Sequence, residues 1–195
     1  MTVITISRQL GSLGSQVARE TAVMLGYRLV WRDLINAAAR LSGAPSTALA
    51  VIDELGLLGI TLSKDEVEAY RQALVQVMEG LYESGDVVIL GRAGQIILRD
   101  KPGVLHVRIV APAALRAERI AARHNITLPQ AAAQVEVSDK NRRKFLKRFF
   151  YVDWDDPQLY DLQINTAHLD AAQSARIIVQ VVSLSSKGAP ANPVN

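Results

Sequence analysis

Three stretches of this chain combine residue types that could do chemistry. The first is Ser7-Arg8-Gln9-Leu10-Gly11-Ser12-Leu13-Gly14-Ser15, which sets two glycines and three hydroxyls beside an arginine. The second is Gly91-Arg92-Ala93-Gly94. The third is Ser138 to Tyr151, SDKNRRKFLKRFFY, with Lys140, Arg142, Arg143, Lys144, Lys147 and Arg148 against one acid, Asp139. A glycine-bearing turn that opens a helix presents unpaired backbone N–H groups to an anion. Arginines add bidentate donors for phosphate oxygens. Phosphoryl transfer needs little else from a protein than positioning and charge stabilisation.

The elements that must position these groups follow from the pattern. Thr2 to Ile6 is a β-branched run suited to a buried strand. Ser15 to Leu25 has helical apolar spacing and meets a stop at Gly26. Further strands are expected at 27–31, 86–90, 104–110 and 161–165. Helices are expected at about 32–41, 48–58, 63–83, 95–99, 112–124, 127–147 and 170–182. Ser63-x-x-Glu66 and Thr127-x-x-Gln130 have the form of capping boxes. Strand–helix alternation implies a mostly parallel sheet with helices on both sides, and ligands at the carboxyl ends of the strands. The turns at Arg8 to Gly14 and Gly91 to Gly94 both fall at such ends and face one crevice.

The first turn departs from the phosphate-loop pattern G-x-x-x-x-G-K-[ST]. With Ser15 at the last position, Gly14 stands where the lysine belongs, Leu13 at the second glycine and Arg8 at the first. Gly11 keeps an internal glycine, and the Ser15 hydroxyl keeps a place for Mg²⁺. The competing reading is an ordinary strand-to-helix connection, which also needs glycine.

Composition narrows the class. The chain has 195 residues, enough for one α/β domain, expected over residues 1–184 with a frayed tail over 185–195. There is no cysteine, so disulfides and thiolate metal sites are excluded. No run is long and apolar enough to span a bilayer, and no signal-peptide pattern precedes the first strand, so a cytoplasmic protein without a membrane partner is expected. The net charge of +3 does not by itself imply nucleic acid.

The basic stretch has three readings: a solvated surface helix, a nucleic-acid patch with Phe145, Phe149, Phe150 and Tyr151 stacking on bases, or an arginine-rich lid over a polyphosphate. The neighbouring turn favours the lid, over about 138–157. Asp33 is either a carboxylate beside the substrate or metal, or a helix-start acid facing the dipole. Asp153, Asp155 and Asp156 are either a metal-ligand cluster or, the favoured reading, an acidic turn before Pro157, and they could equally pair with the basic helix when the lid is empty. Tyr160 reads as packing, and His106, His124 and His168 lack ligand spacing.

Taken in order, ITISRQLGS-x-G, RDLI, VVILGRAG, the D-x-x-R of the basic helix and DDPQLYDLQINT resemble the cytidylate kinase-like family, from about Val3 to Val182. The resemblance implies a P-loop NTPase-type parallel sheet flanked by helices, a small substrate-side helical region over about 45–84, and an arginine-rich lid. It implies ATP and Mg²⁺ as cofactors and phosphoryl transfer to a nucleoside monophosphate such as CMP or dCMP. By position, Ser7, Arg8, Gly11, Ser12, Gly14 and Ser15 would hold the ATP phosphates, with Ser15 also at the metal. Arg92, Asp139 and Arg142 would face the acceptor, and Asp33, on the reading of its position given above, is a further candidate there. Arg8, Arg143, Lys147 and Arg148 would stabilise the transferring group. Leu90 and Ala93 stand where the family pattern carries acids. Two further hypotheses remain: a nucleotide-binding protein that transfers nothing, and a nucleic-acid-binding module built on the basic helix.

Overall fold

The computed structural model describes residues 2–42 and 63–185. The helix expected at 48–58 and all but the first residue of the expected tail lie outside the described residues, as does the first part of the 45–84 region.

In chain order the elements are β1 (Val3–Arg8), α1 (Gly14–Leu25), β2 (Arg28–Val30), α2 (Arg32–Ser42), α3 (Lys64–Ser84), β3 (Val87–Leu90), α4 (Gly94–Ile97), β4 (Val104–Val110), α5 (Ala113–His124), α6 (Leu128–Phe150), a 3₁₀ turn (Pro157–Leu159), β5 (Leu162–Asn165) and α7 (Ala171–Ser185). The five strands form one sheet in the order β2-β3-β1-β4-β5. Every pairing is parallel. The expected fold class therefore holds.

β1 is the central strand. Its end is flush with its neighbours: Ile6 is in register with Leu90, and Arg8 with Ile109. The chain leaving β1 and the chain leaving β3 thus emerge side by side, and Gly91 N–H donates to the Ile6 carbonyl at 2.9 Å.

Both faces of the sheet are covered, which is why Val87 to Leu90 can be apolar without alternation. On one face Ile4, Ile6, Val107 and Ile109 pack with Val17 and Ala18 of α1 and Ile178 and Val182 of α7. On the other, Val3, Val87 and Ile89 pack with Leu34 of α2, Met78 and Leu81 of α3, and Leu98. Each Val, Ile, Leu or Met side chain among them contributes on the order of 1.5–3 kcal/mol by leaving water.

Both expected capping boxes form, Ser63 with Glu66 and Thr127 with Gln130. Pro112 is the N-cap of α5 rather than a first-turn residue, because its ψ of 139° keeps it extended. α6 runs through Phe150, three residues past the expected end. Its last turns are held by burial: Leu146 and Phe149 are interior, and the Phe149 ring meets Tyr70 of α3 edge-on at 5.5 Å. Phe145 lies 4.9 Å from Phe149. Among the described residues no helix is long and apolar enough to cross a membrane.

Candidate active site

The turn after β1 is held from outside by α5 and by the chain end of β5. The Gly11 carbonyl accepts from Arg119 Nη1 at 3.3 Å. Thr166 Oγ1 donates to the Ser12 carbonyl at 2.9 Å, and Arg119 Nη2 reaches the Thr166 carbonyl at 2.8 Å. Inside the turn, Ser12 N–H and Oγ both donate to the Gln9 carbonyl. Ser12 is fully buried, and its side chain shapes the turn through that bond. Leu13 takes a left-handed φ of 64° and caps α1 without a side-chain bond. The first N–H groups of α1, at Gly14 and Ser15, have no acceptor inside the helix. Ser15, second residue of α1, is half-buried at the same mouth.

Gly14 has a specific steric role. A Cβ there would lie 2.3 Å from Arg8 Cβ and 2.9 Å from Arg8 Cγ. The Arg8 side chain therefore runs over the position where the usual lysine would begin. Its guanidinium arrives at the turn after β3: a Cβ on Gly91 would lie 2.5 Å from Arg8 Nη1. A guanidinium thus lies at the turn after β3, while residue 14 itself carries no side chain.

Arg92 and Ala93 follow Gly91, and all three residues are left-handed, at φ 79°, 60° and 60°. This tight turn sets the Arg92 main chain just past the end of β3. Arg92 and Arg116 lie near enough to Arg142 to disfavour its charge. Burial pushes Arg142 down to about 10; Asp139 opposes that shift, while Arg92 and Arg116 add to it. Arg142 also donates to Ser138 Oγ one turn back.

Arg116 joins the parts. It is buried and donates to the Ala111 carbonyl at 2.9 Å, to the Leu10 carbonyl at 3.3 Å, and to both carboxylate oxygens of Asp139 at 3.1 and 2.8 Å. Asp139 is thus engaged with Arg116, tying α6 to the turn after β1. Three guanidiniums and one carboxylate leave this cluster with an excess of positive charge, the electrostatic signature of an anion site.

Beyond α6 the chain folds back over the cleft. Trp154 is buried and donates from Nε1 to Ser7 Oγ at 2.9 Å. Tyr160 Oη donates to the Trp154 carbonyl at 2.9 Å, and burial raises the Tyr160 phenol above its ordinary range. Arg108 of β4 stacks between these rings, 4.9 Å from Trp154 and 5.3 Å from Tyr160. Asp155 accepts from Arg108 and, at 2.6 Å, from Arg143 Nε. The acidic turn does pair with the basic helix, through this one residue among the described contacts.

The structure brings together Ser7, Arg8, Gly11, Ser12, Gly14 and Ser15 at the turn, with Arg92, Asp139, Arg142 and Arg143 around it. Asp33 is exposed in the first turn of α2, beyond the edge strand β2. Lys147 is exposed on the far part of α6, and Arg148 is half-buried one position on. Phe149, one of the aromatics weighed for base stacking, is interior.

Arg108, Arg116, Arg119, Trp154 and Thr166 were not selected from the sequence. Two of them leave a trace in it. His106 and Arg108 alternate with Val107 and Ile109, placing two polar groups on one face of a strand expected to be covered. Arg116 shares the buried stripe of α5 with Ile120, four residues on.

The residues fit a nucleotide polyphosphate with its divalent ion. The turn is a helix-head cradle with a guanidinium across it, and Ser15 offers a hydroxyl there. Among the described residues no group of three or more His, Asp or Glu side chains could hold a metal ion. A Mg²⁺ ion accompanies phosphate oxygens with few protein ligands, which suits this donor set.

Residues 3–168 match the cytidylate kinase-like family. The chain belongs to that family. A cytidylate kinase from Pyrobaculum aerophilum is 29% identical over 180 residues, covering 91% of this chain and 90% of that protein. Among solved structures, an uncharacterized protein from Eubacterium ventriosum superposes with a TM-score of 0.73 at 20% identity, covering 94% of this chain and 99% of that one. A gluconokinase from Sinorhizobium meliloti superposes at 0.57 and 17% identity, covering 95% and 94%. The fold is that of the P-loop kinases. Membership of the cytidylate kinase-like family supports a kinase acting on a nucleotide or small molecule, with nucleotide and metal use in general.

Proposed function

We propose that this member of the cytidylate kinase-like family transfers the γ-phosphoryl group of ATP to a nucleoside monophosphate of the CMP or dCMP kind, or to a related small phosphoacceptor. The observation that carries this reading is the path of Arg8 over Gly14 to Gly91. It returns a positive charge to a cleft whose turn has lost its lysine.

In this reading the N–H groups at the head of α1 hold the ATP phosphates. Arg8 lies between the turns after β1 and β3, where donor and acceptor phosphates would meet. Arg92 and Arg142 hold the acceptor phosphate with fixed donors, and Arg116 with Asp139 keeps Arg142 in place. Arg143 leaves Asp155 to meet the transferring group. A positioned arginine contributes about three to five orders of magnitude to phosphoryl transfer in other enzymes. Mg²⁺, bound through the phosphates with the Ser15 hydroxyl beside it, would neutralise developing charge on the phosphate oxygens.

Lys147 and Arg148 belong to the same proposal as charges near the lid, and Asp33 as a group on the acceptor side. The relative named as a cytidylate kinase supports a pyrimidine monophosphate as acceptor. The gluconokinase neighbour makes a small alcohol the natural comparison.

The test is ADP release in a coupled assay over CMP, dCMP, UMP, AMP, gluconate and other small alcohols. Turnover with one acceptor well above the others is expected. ATP binding without turnover on any of them refutes phosphoryl transfer and favours a protein that only binds nucleotide. Salt-sensitive oligonucleotide binding that ATP does not compete with would instead favour the nucleic-acid reading.

A further inference from the structure

Asp155 sits where two arginines converge from different elements. Arg108 comes from β4, one strand in from the sheet edge, with a side chain only 5% exposed. Arg143 comes from α6 and is 49% exposed. Each donates to a different oxygen of the carboxylate. Burial works to raise the Asp155 pKa; the bonds from Arg143 and Arg108 outweigh it and hold the group below the usual carboxylate range. The same bond raises Arg143.

Two features make this more than a surface ion pair. Arg108 Nε is buried with no hydrogen-bond partner, so the buried cation is incompletely satisfied. The rings that sandwich Arg108 are themselves fixed to the phosphate turn, through Trp154 Nε1 and Ser7 Oγ. Two guanidiniums gripping separate oxygens of one anion is the geometry that a tetrahedral phosphate satisfies as well as a carboxylate does. A buried cation stripped of its counter-charge is costly, so it recruits another anion.

We propose that Arg108 and Arg143 form an anion site for a phosphate dianion, and that Asp155 is its built-in occupant, displaced when phosphate enters. Phosphate and Asp155 are then alternative partners of Arg143, and the segment carrying Trp154 and Asp155 changes partners with site occupancy. This rests on the phosphate-handling role proposed above only for the identity of the anion.

The test uses inorganic phosphate and the full chain, read by calorimetry. Asp155→Asn removes the competing charge while keeping the shape. Phosphate should bind this variant about tenfold tighter than the unsubstituted protein, the worth of one charge-assisted hydrogen bond. Adding Arg143→Gln should abolish the gain. An affinity in D155N equal to or weaker than that of the unsubstituted protein overturns the proposal. Should D155N not fold, the Arg143 Nε–H resonance of the unsubstituted protein is followed during phosphate titration. A saturable shift supports exchange of partners, and an unmoved resonance overturns it. Failure of phosphoryl transfer would appear separately, as absent ADP release, and would leave the phosphate titration readable.

Discussion

Placing a side chain on Gly14 should reveal how the Arg8 charge was accommodated. In Gly14→Ala the new Cβ would meet Arg8 Cβ at 2.3 Å and Ile109 Cβ at 3.4 Å. The second contact is ordinary; the first involves an atom fixed to the β1 backbone, so no rotamer relieves it. Overpacking of this kind costs about 1–3 kcal/mol. In a chain of this size that lowers Tm by roughly 2–12 °C. Arg8→Ala keeps the offending Cβ, and Arg8→Gly removes it. The cost of Gly14→Ala should therefore persist in the R8A background and fall to near zero in R8G, giving a coupling of about 1–3 kcal/mol in the R8G cycle. The same residues make a functional prediction. Arg8→Ala should weaken ATP binding roughly ten- to hundredfold, and Arg8→Gly with Gly14→Lys should recover most of it by returning the charge from the neighbouring residue. Thermal unfolding and ATP calorimetry read the two arms. Equal costs of Gly14→Ala in every background, or an ATP affinity indifferent to Arg8, would refute the reasoning.

Arg116→Met and Asp139→Asn each break a buried, bidentate ion pair and should cost about 3–5 kcal/mol, a Tm loss of roughly 6–20 °C; replacing both partners with apolar residues should cost less than either. Arg92→Ala should raise the KM for the acceptor with little change in Kd for ATP, measured by initial rates and calorimetry; an unchanged KM removes Arg92 from the acceptor site. His106 has its pKa lowered from 6.5 chiefly by burial, against Asp161. The unfolded chain then takes up a proton that the folded chain refuses, so stability is full above about 6.5 and declines as pH falls through the depressed folded value. His106→Asn should flatten that decline in urea unfolding between pH 7 and pH 5, and an identical slope would exclude His106 as its source.

The sheet was readable because its signals are local. Five runs of β-branched and aliphatic residues, two capping boxes and glycine stops are each confined to a few residues, and each formed within about three residues of its expected limits. The turn after β1 that carries part of the candidate site was legible because its glycines and the helix it opens follow one another along the chain; the partner of Asp139 was not, since it is Arg116 rather than a residue of its own helix. The contacts between residues distant in the chain were opaque. Arg116 meets Asp139 across 23 positions, and Trp154 meets Ser7 across 147. No periodicity encodes such a meeting. Gly14 is the instructive case: its sequence reads as the loss of a lysine, while its structure is the space through which Arg8 passes.

The turn at Gly91-Arg92-Ala93 carries a consequence for how the cleft has been tuned. Two L-residues in left-handed backbone cost about 1–2 kcal/mol each, held in place here by the burial of Ala93 and the seating of Gly94 against Thr5. That strain exists before any ligand arrives. The backbone that carries Arg92 is therefore ordered during folding, and its main-chain freedom is not left to be lost on binding. Selection for stability alone would replace Arg92 with glycine, which relaxes in that conformation. In the function proposed above, an arginine at this position is a trade in the opposite direction, with folding free energy given up so that the acceptor meets an ordered main chain.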